Sequence, residues 1–229
     1  MNLISKQSLV LTALVSIASV ASANSVYGSF TDVTGSVSFD GWNQLNRNRL
    51  DANGNADPLT TAQLVAGTAG NVSGSGDALF TRVTGDHYPA GFGLYGGAST
   101  FTFSDSTLAS GITSLVFQGI INDFDGSFGG TPISLTLSYN GGSQALAATS
   151  STFSSTGTVD DLYTFTWDLT TLSAPLSSYT LTLNAGFSQM LAFQVDQVSA
   201  VPEPSTYALL IGGLGLVGGI VRRRQNAAR

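Results

Sequence analysis

Three stretches of this chain alternate apolar and polar, mostly hydroxyl-bearing, residues, and that rhythm excludes most folds. Ile133-Ser134-Leu135-Thr136-Leu137-Ser138-Tyr139 keeps it over seven positions, as does Tyr163-Thr164-Phe165-Thr166-Trp167-Asp168-Leu169, and Tyr179-Thr180-Leu181-Thr182-Leu183 repeats it. Successive side chains of a strand point to opposite faces, so each run buries one face and leaves the other wet. Phe101-Thr102-Phe103 is a shorter case, while Leu115 to Ile121 is more continuously apolar and predicts a central strand. Gly-Gly pairs at 96–97, 129–130 and 141–142 mark turns between such runs, and no window shows a helical period. The pattern predicts an all-β fold: a single β-sandwich of jelly-roll type over residues 24–200. Residues 41–79, rich in Asn, Gly and Ala, read as a long loop excursion with a few weak strands.

The two ends obey different rules. Met1 to Ala23 reads as a secretory signal peptide: Lys6 supplies the n-region charge, Leu9 to Val20 an apolar stretch, and Ala21-Ser22-Ala23 a small-residue cleavage site before Asn24. The other reading, an uncleaved N-terminal anchor, has neither the length of a bilayer span nor a basic stop-transfer cluster behind it. At the other end, residues 201–229 begin with Val201-Pro202-Glu203-Pro204-Ser205. Tyr207 to Val221 then gives 15 residues without charge, about 22 Å as a helix and short against a hydrocarbon core of about 30 Å. Arg222, Arg223 and Arg224 follow at once, which holds the C-terminus in the cytoplasm and leaves residues 24–200 outside the inner membrane. The two prolines keep the preceding segment extended. Five glycines thin the apolar helix, two of them in a G-x-x-x-G at Gly215 and Gly219.

The order of these parts resembles the PEP-CTERM sorting signal. Pro202-Glu203-Pro204 match that family's signature, Gly212 to Gly219 its small-residue helix, and Arg222 to Arg224 its basic end. The resemblance implies a transpeptidase-like exosortase as partner, a transient stay in the inner membrane, and delivery to the cell surface or extracellular matrix. The family occurs in Gram-negative bacteria that make extracellular polysaccharide. A plain C-terminal membrane anchor is the simpler alternative, since a short span with a basic flank is all that insertion requires.

Composition narrows what the middle can do. No cysteine occurs, so an exported domain of this size stands on packing or bound ions alone. Between Asn24 and Ala200 the charge is −10, from three arginines and thirteen aspartates, with no Lys and no Glu. That balance repels nucleic acid and anionic lipid and suits divalent cations. The single imidazole, His87, reads as a solvent-facing loop residue; one histidine cannot build a metal cluster, and no G-x-S-x-G occurs. Catalysis is not expected.

Candidate binding groups remain. In Asp51-Ala52-Asn53-Gly54-Asn55-Ala56-Asp57, oxygen side chains recur at alternate positions (Asp51, Asn53, Asn55, Asp57), the rhythm of a calcium-wrapping loop. It departs from an EF-hand: its glycine comes early, and Ala62 stands where the bidentate glutamate belongs. A solvated turn is made of the same residues. Asp123 and Asp125, in Asn122-Asp123-Phe124-Asp125-Gly126, share a side if the strand continues, and they too read as a cation pair or a hairpin turn. Asp160-Asp161 opens another strand and reads as solubilising an edge. Leu191 to Val198 resembles the closing strand of carbohydrate-binding jelly rolls, in which an aspartate at the position of Asp196 helps hold a structural calcium; Gln197 departs from the usual second Asp or Asn. Trp167 shares parity with Tyr163, Phe165 and Leu169, which predicts the core. Trp42, in Asp40-Gly41-Trp42-Asn43, stands outside a clean alternation and is the better candidate for a platform that stacks a sugar, with His87-Tyr88 and Phe92 to Tyr95 as a second aromatic loop; packing in the core or anchoring a loop is the more common use of each ring taken singly.

Three functions fit these residues. The first is a non-catalytic surface or matrix protein associated with exopolysaccharide and biofilm. The second is a structural, adhesive matrix protein without a glycan ligand, for which low charge and Ser/Thr-rich faces are suited. The third is a polysaccharide-active enzyme, which the absence of Glu in the domain ranks last.

Overall fold

A computed structural model of the protein describes residues 30–51, 55–72, 75–122, 133–155 and 161–200. The signal segment, the tail with Tyr207–Val221, Asn53, Asp123 and Asp125 lie outside the described residues. Among those described, no helix is long and apolar enough to cross a membrane.

The alternating runs become strands of two antiparallel sheets. In chain order they are β1 (Ser36–Trp42), β2 (Leu79–Gly85), β3 (Tyr88–Pro89), β4 (Leu94–Gly96), β5 (Ser99–Asp105), β6 (Ile112–Asn122), β7 (Ser134–Tyr139), β8 (Leu146–Ala147), β9 (Ser150–Ser155), β10 (Asp161–Asp168), β11 (Tyr179–Ala185) and β12 (Ser188–Ser199). The larger sheet runs β3-β4-β12-β6-β10-β9, with β1 also paired to β12; the smaller runs β2-β5-β11-β7-β8. Leu115 to Ile121 sits inside β6, between β10 and β12, so the continuous apolar run is a central strand. Asp161 opens β10 as expected, but β10 lies between β6 and β9 and Asp161 is buried, so it solubilises no edge.

Among the described residues, one helix breaks the β pattern. Thr60 caps α1 (Thr61–Ala66): its hydroxyl accepts from the Gln63 N–H while the Gln63 side chain accepts from the Thr60 N–H. That reciprocal box satisfies two donors that a helix start otherwise leaves unpaired, and its T-x-x-Q signature is visible in the sequence. Leu64 anchors α1 to the core beside β2. Of the expected 41–79 excursion, residues 41–42 end β1 and Leu79 opens β2; between them the described residues outside α1 add an isolated bridge, Leu50 to Ala56, and no further strand.

The core is aromatic. Phe80, Phe101 and Phe103 of the smaller sheet meet Trp42, Phe117 and Phe193 of the larger. Phe103 stands edge-on to Phe193 at 5.1 Å and to Phe117 at 5.2 Å, the offset geometry that ring quadrupoles favour. Each buried ring contributes about 1.5–3 kcal/mol through burial, and their number compensates for the missing disulfides. Trp167 is fully buried, as its parity requires, and its indole N–H donates to the Leu146 carbonyl at 3.1 Å. Gly119 keeps β6 flush there: a Cβ would come within 3.0 Å of the Phe117 ring. A second, smaller cluster lies elsewhere, where Phe30 packs with Ile120, Leu191 and Ala192.

Candidate functional site

Trp42 is not a surface platform. It pairs with Phe193 across β1 and β12, is 1 % exposed, and packs 5.3 Å from Phe103 and 5.8 Å from Phe80. The physical reason is parity: β1 pairs antiparallel with β12, and Trp42 falls on the same side as Phe193, facing the other sheet. Its polar neighbour Asp40 points inward as well. Asp40 is fully buried; its Oδ1 accepts the Ala78 N–H at 3.0 Å, and its Oδ2 has no partner among the described residues. Burial pushes its carboxyl up to about 6, with Asp105 and Asp77 adding to the rise.

His87 is also not where the sequence placed it. It is fully buried, with Nδ1 2.8 Å from the Ser99 hydroxyl and Nε2 3.1 Å from that of Ser188. Burial drives its pKa down to about 4, so the ring is neutral at pH 7 and both nitrogens are spent on β5 and β12. This imidazole ties two sheets together and presents nothing to solvent.

The acidic clusters resolve into hydrogen bonds and an ion pair. Asp51 accepts from the backbone N–H of Asn55 at 2.8 Å and from its amide at 3.3 Å, and Asp57 pairs with the Arg49 guanidinium at 2.8 Å. Asp196 is fully buried; Oδ1 accepts from Ser36 at 2.8 Å and Oδ2 from the Gln194 amide at 3.1 Å. That amide also donates to Asp32 at 3.0 Å, so one neutral NH2 group bridges two carboxylates. Burial again raises the Asp196 carboxyl to about 6. Among the described residues, no three His, Asp or Glu side chains converge on a metal position.

The surface aromatics gather elsewhere. Tyr88 and Tyr95 face each other across the β3–β4 hairpin with ring centroids 6.2 Å apart, and Phe187 stands edge-on to Tyr95 at 5.2 Å. Phe92, at the hairpin tip, is 65 % exposed and Tyr88 48 %. The hairpin is held on β12, and Asn48 donates to the Gly91 carbonyl at 3.1 Å. Edge-on contacts hold Tyr88, Tyr95 and Phe187 together as one partly exposed aromatic cluster. The sequence had flagged Tyr88 and Phe92 to Tyr95 but not Phe187, whose place beside Tyr95 depends on the β4–β12 pairing.

Against known proteins, residues 200–225 match the PEP-CTERM protein-sorting motif. The motif implies processing by an exosortase and sorting toward the surface of a Gram-negative cell. No curated protein and no solved structure matches the chain.

Proposed function

We propose that this chain is a non-catalytic surface or matrix protein, released from a transient inner-membrane intermediate by exosortase and associated outside the cell with exopolysaccharide. The observation that carries the reading is the PEP-CTERM motif over residues 200–225. The aromatic cluster of Tyr88, Tyr95 and Phe187, with the exposed Phe92 at the hairpin tip, supports a sugar-binding surface, and the enclosure of His87 between two serines is in keeping with a non-catalytic reading. A jelly-roll description is supported by the strand order. The chain passes from β1 across to β2, back to β3 and β4, across to β5, back to β6, across to β7 and β8, back to β9 and β10, across to β11 and back to β12, which lies beside β1; β1-β12-β6-β10 and β5-β11-β7-β8 are the two four-stranded sheets of such a roll.

The test is intact mass and fractionation of the native protein, wild type against Pro202→Ala/Pro204→Ala. A mature mass lacking both Met1–Ala23 and the tail, found in matrix or medium, is the expected result. Full-length tail kept in the inner membrane, indifferent to the proline changes, overturns it.

A structural, adhesive role is favoured by one observation. The outermost strand β9 (Ser150–Ser155) is uncharged, pairs with β10, and exposes Phe153 by 58 %, a template for pairing with another chain. Concentration-dependent oligomers lost on Thr152→Lys would assign the protein to that role.

A further inference from the structure

The far end of β5 from the aromatic hairpin carries a second feature. There the ends of β5, β7 and β11 and their turns enclose an open cavity of about 460 Å3. Its wall includes Asp77 and Asp105, and the hydroxyls of Ser104, Thr180 and Ser138 stand in one register across three strands. Tyr179, opposite Asp105 in the β5–β11 pair, closes it from within. The Tyr179 ring is 2 % exposed and its hydroxyl has no partner among the described residues; it lies within electrostatic reach of Asp40, whose Oδ2 is equally unpartnered. Both atoms are closed off from solvent on the inner side of the sheet, so they lie behind the cavity floor and are not contacts for a ligand in it.

We propose that this cavity binds a neutral saccharide whose chain extends over the outer face of the smaller sheet. Three features choose the ligand. Among the described residues no basic side chain lines the cavity, and two carboxylates do, so uronates and phosphorylated sugars are repelled while sugar hydroxyls find acceptors. A cation is disfavoured because Asp105 is already engaged: Oδ1 accepts from the Thr107 N–H at 2.7 Å and Oδ2 from the Gln197 amide at 2.9 Å, while the Thr107 hydroxyl lies between Asp105 and Asp77 and donates to one of the two. Those bonds hold the carboxylate still, as a preformed acceptor. The hydroxyl ranks also continue. Thr81, Thr102, Thr182 and Thr136 stand in register across four strands, and beyond them Thr100, Asn184 and Ser134 line a second cavity of about 280 Å3. None of these ladder residues is charged, which matches a neutral polyhydroxylated partner. The choice of a sugar rests on the surface-protein reading above; the cavity does not.

The experiment uses the mature protein purified from its host. Hydrogen–deuterium exchange is followed with neutral gluco-, galacto- and manno-oligosaccharides, with an oligogalacturonate, and with calcium chloride as separate probes. The expected result is protection of residues 104–106 and 177–180 by at least one neutral oligomer, none by the uronate, and an affinity weakened at least about tenfold in both Asp77→Asn and Thr180→Val. Thr180→Val is isosteric on a solvent-facing position, so it keeps the fold. Protection confined to residues 88–95, equal protection by the uronate, unchanged affinity in the two variants, no protection by any neutral oligomer, or calcium displacing the sugar would each overturn the proposal. Sorting fails or succeeds independently, since it is read by mass and fractionation.

Discussion

At the scale of single residues, similar side chains have opposite uses. Trp42 fills the space between the sheets, whereas Phe92 stands in solvent. Trp42→Ala is therefore expected to cost about 3–5 kcal/mol in denaturant unfolding, while Phe92→Ala stays within about 0.5 kcal/mol. Equal costs would mean that Trp42 is not a core residue. Three buried titratable groups give a second prediction. Asp40 and Asp196 titrate near 6 in the fold, above the ordinary 3.8; each favours folding while protonated and loses that contribution as pH rises to 6. His87 titrates near 4, below its ordinary 6.5, and acts in the opposite sense: its contribution is lost as pH falls from 6.5 to 4. Between pH 4 and 6 the native state thus holds two protons that the unfolded chain releases and lacks one that it binds. Stability is expected to fall by about 1.4 kcal/mol per pH unit as pH rises through this interval, and Asp196→Asn should make the profile nearly flat. A wild-type stability that rises there would mean that both carboxyls ionise normally.

At the scale of elements, the aromatic hairpin depends on one close approach. A Cβ on Gly93 would come within 2.2 Å of the Met190 carbonyl oxygen, so Gly93→Ala must push β4 away from β12. Hydrogen exchange should quicken at residues 94–96 and 188–190 while β5 and β11 stay protected; unchanged exchange would show that the pairing tolerates the methyl group. The helix gives a smaller effect: Thr60→Ala removes the capping hydroxyl and should cost about 1 kcal/mol. These elements differ in how readable they were. β7, β10 and β11 are local alternations and stood in the sequence within two residues of their bounds. The α1 cap was present as Thr60-x-x-Gln63 but lay in a stretch with no helical period. β1 carries a short local alternation, Ser36-Val37-Ser38-Phe39-Asp40, but which of its faces is buried is set only by its pairing with β12: Val37 is exposed while Asp40 and Trp42 face the core.

At the scale of the whole molecule, the first and last strands of the sandwich are neighbours, and most pairings join residues far apart in sequence. Closing such loops before any contact rewards them makes folding slow, so refolding is expected on the millisecond-to-second scale by stopped-flow fluorescence of Trp42 and Trp167; microsecond refolding would mean that local contacts dominate the barrier. The sequence by itself determined the β class and the sorting motif, because a period of two and a short linear signal are both local properties. It also established the parity that buries Trp167. Only the tertiary structure decided that Trp42 is core and Tyr88 is surface, that His87 is locked between Ser99 and Ser188, and that Asp40, Asp105 and Tyr179 gather at one end of the sandwich. Each of those outcomes depends on which distant strand lies alongside, and register between distant strands is set by the packing of the whole core rather than by any neighbouring residues.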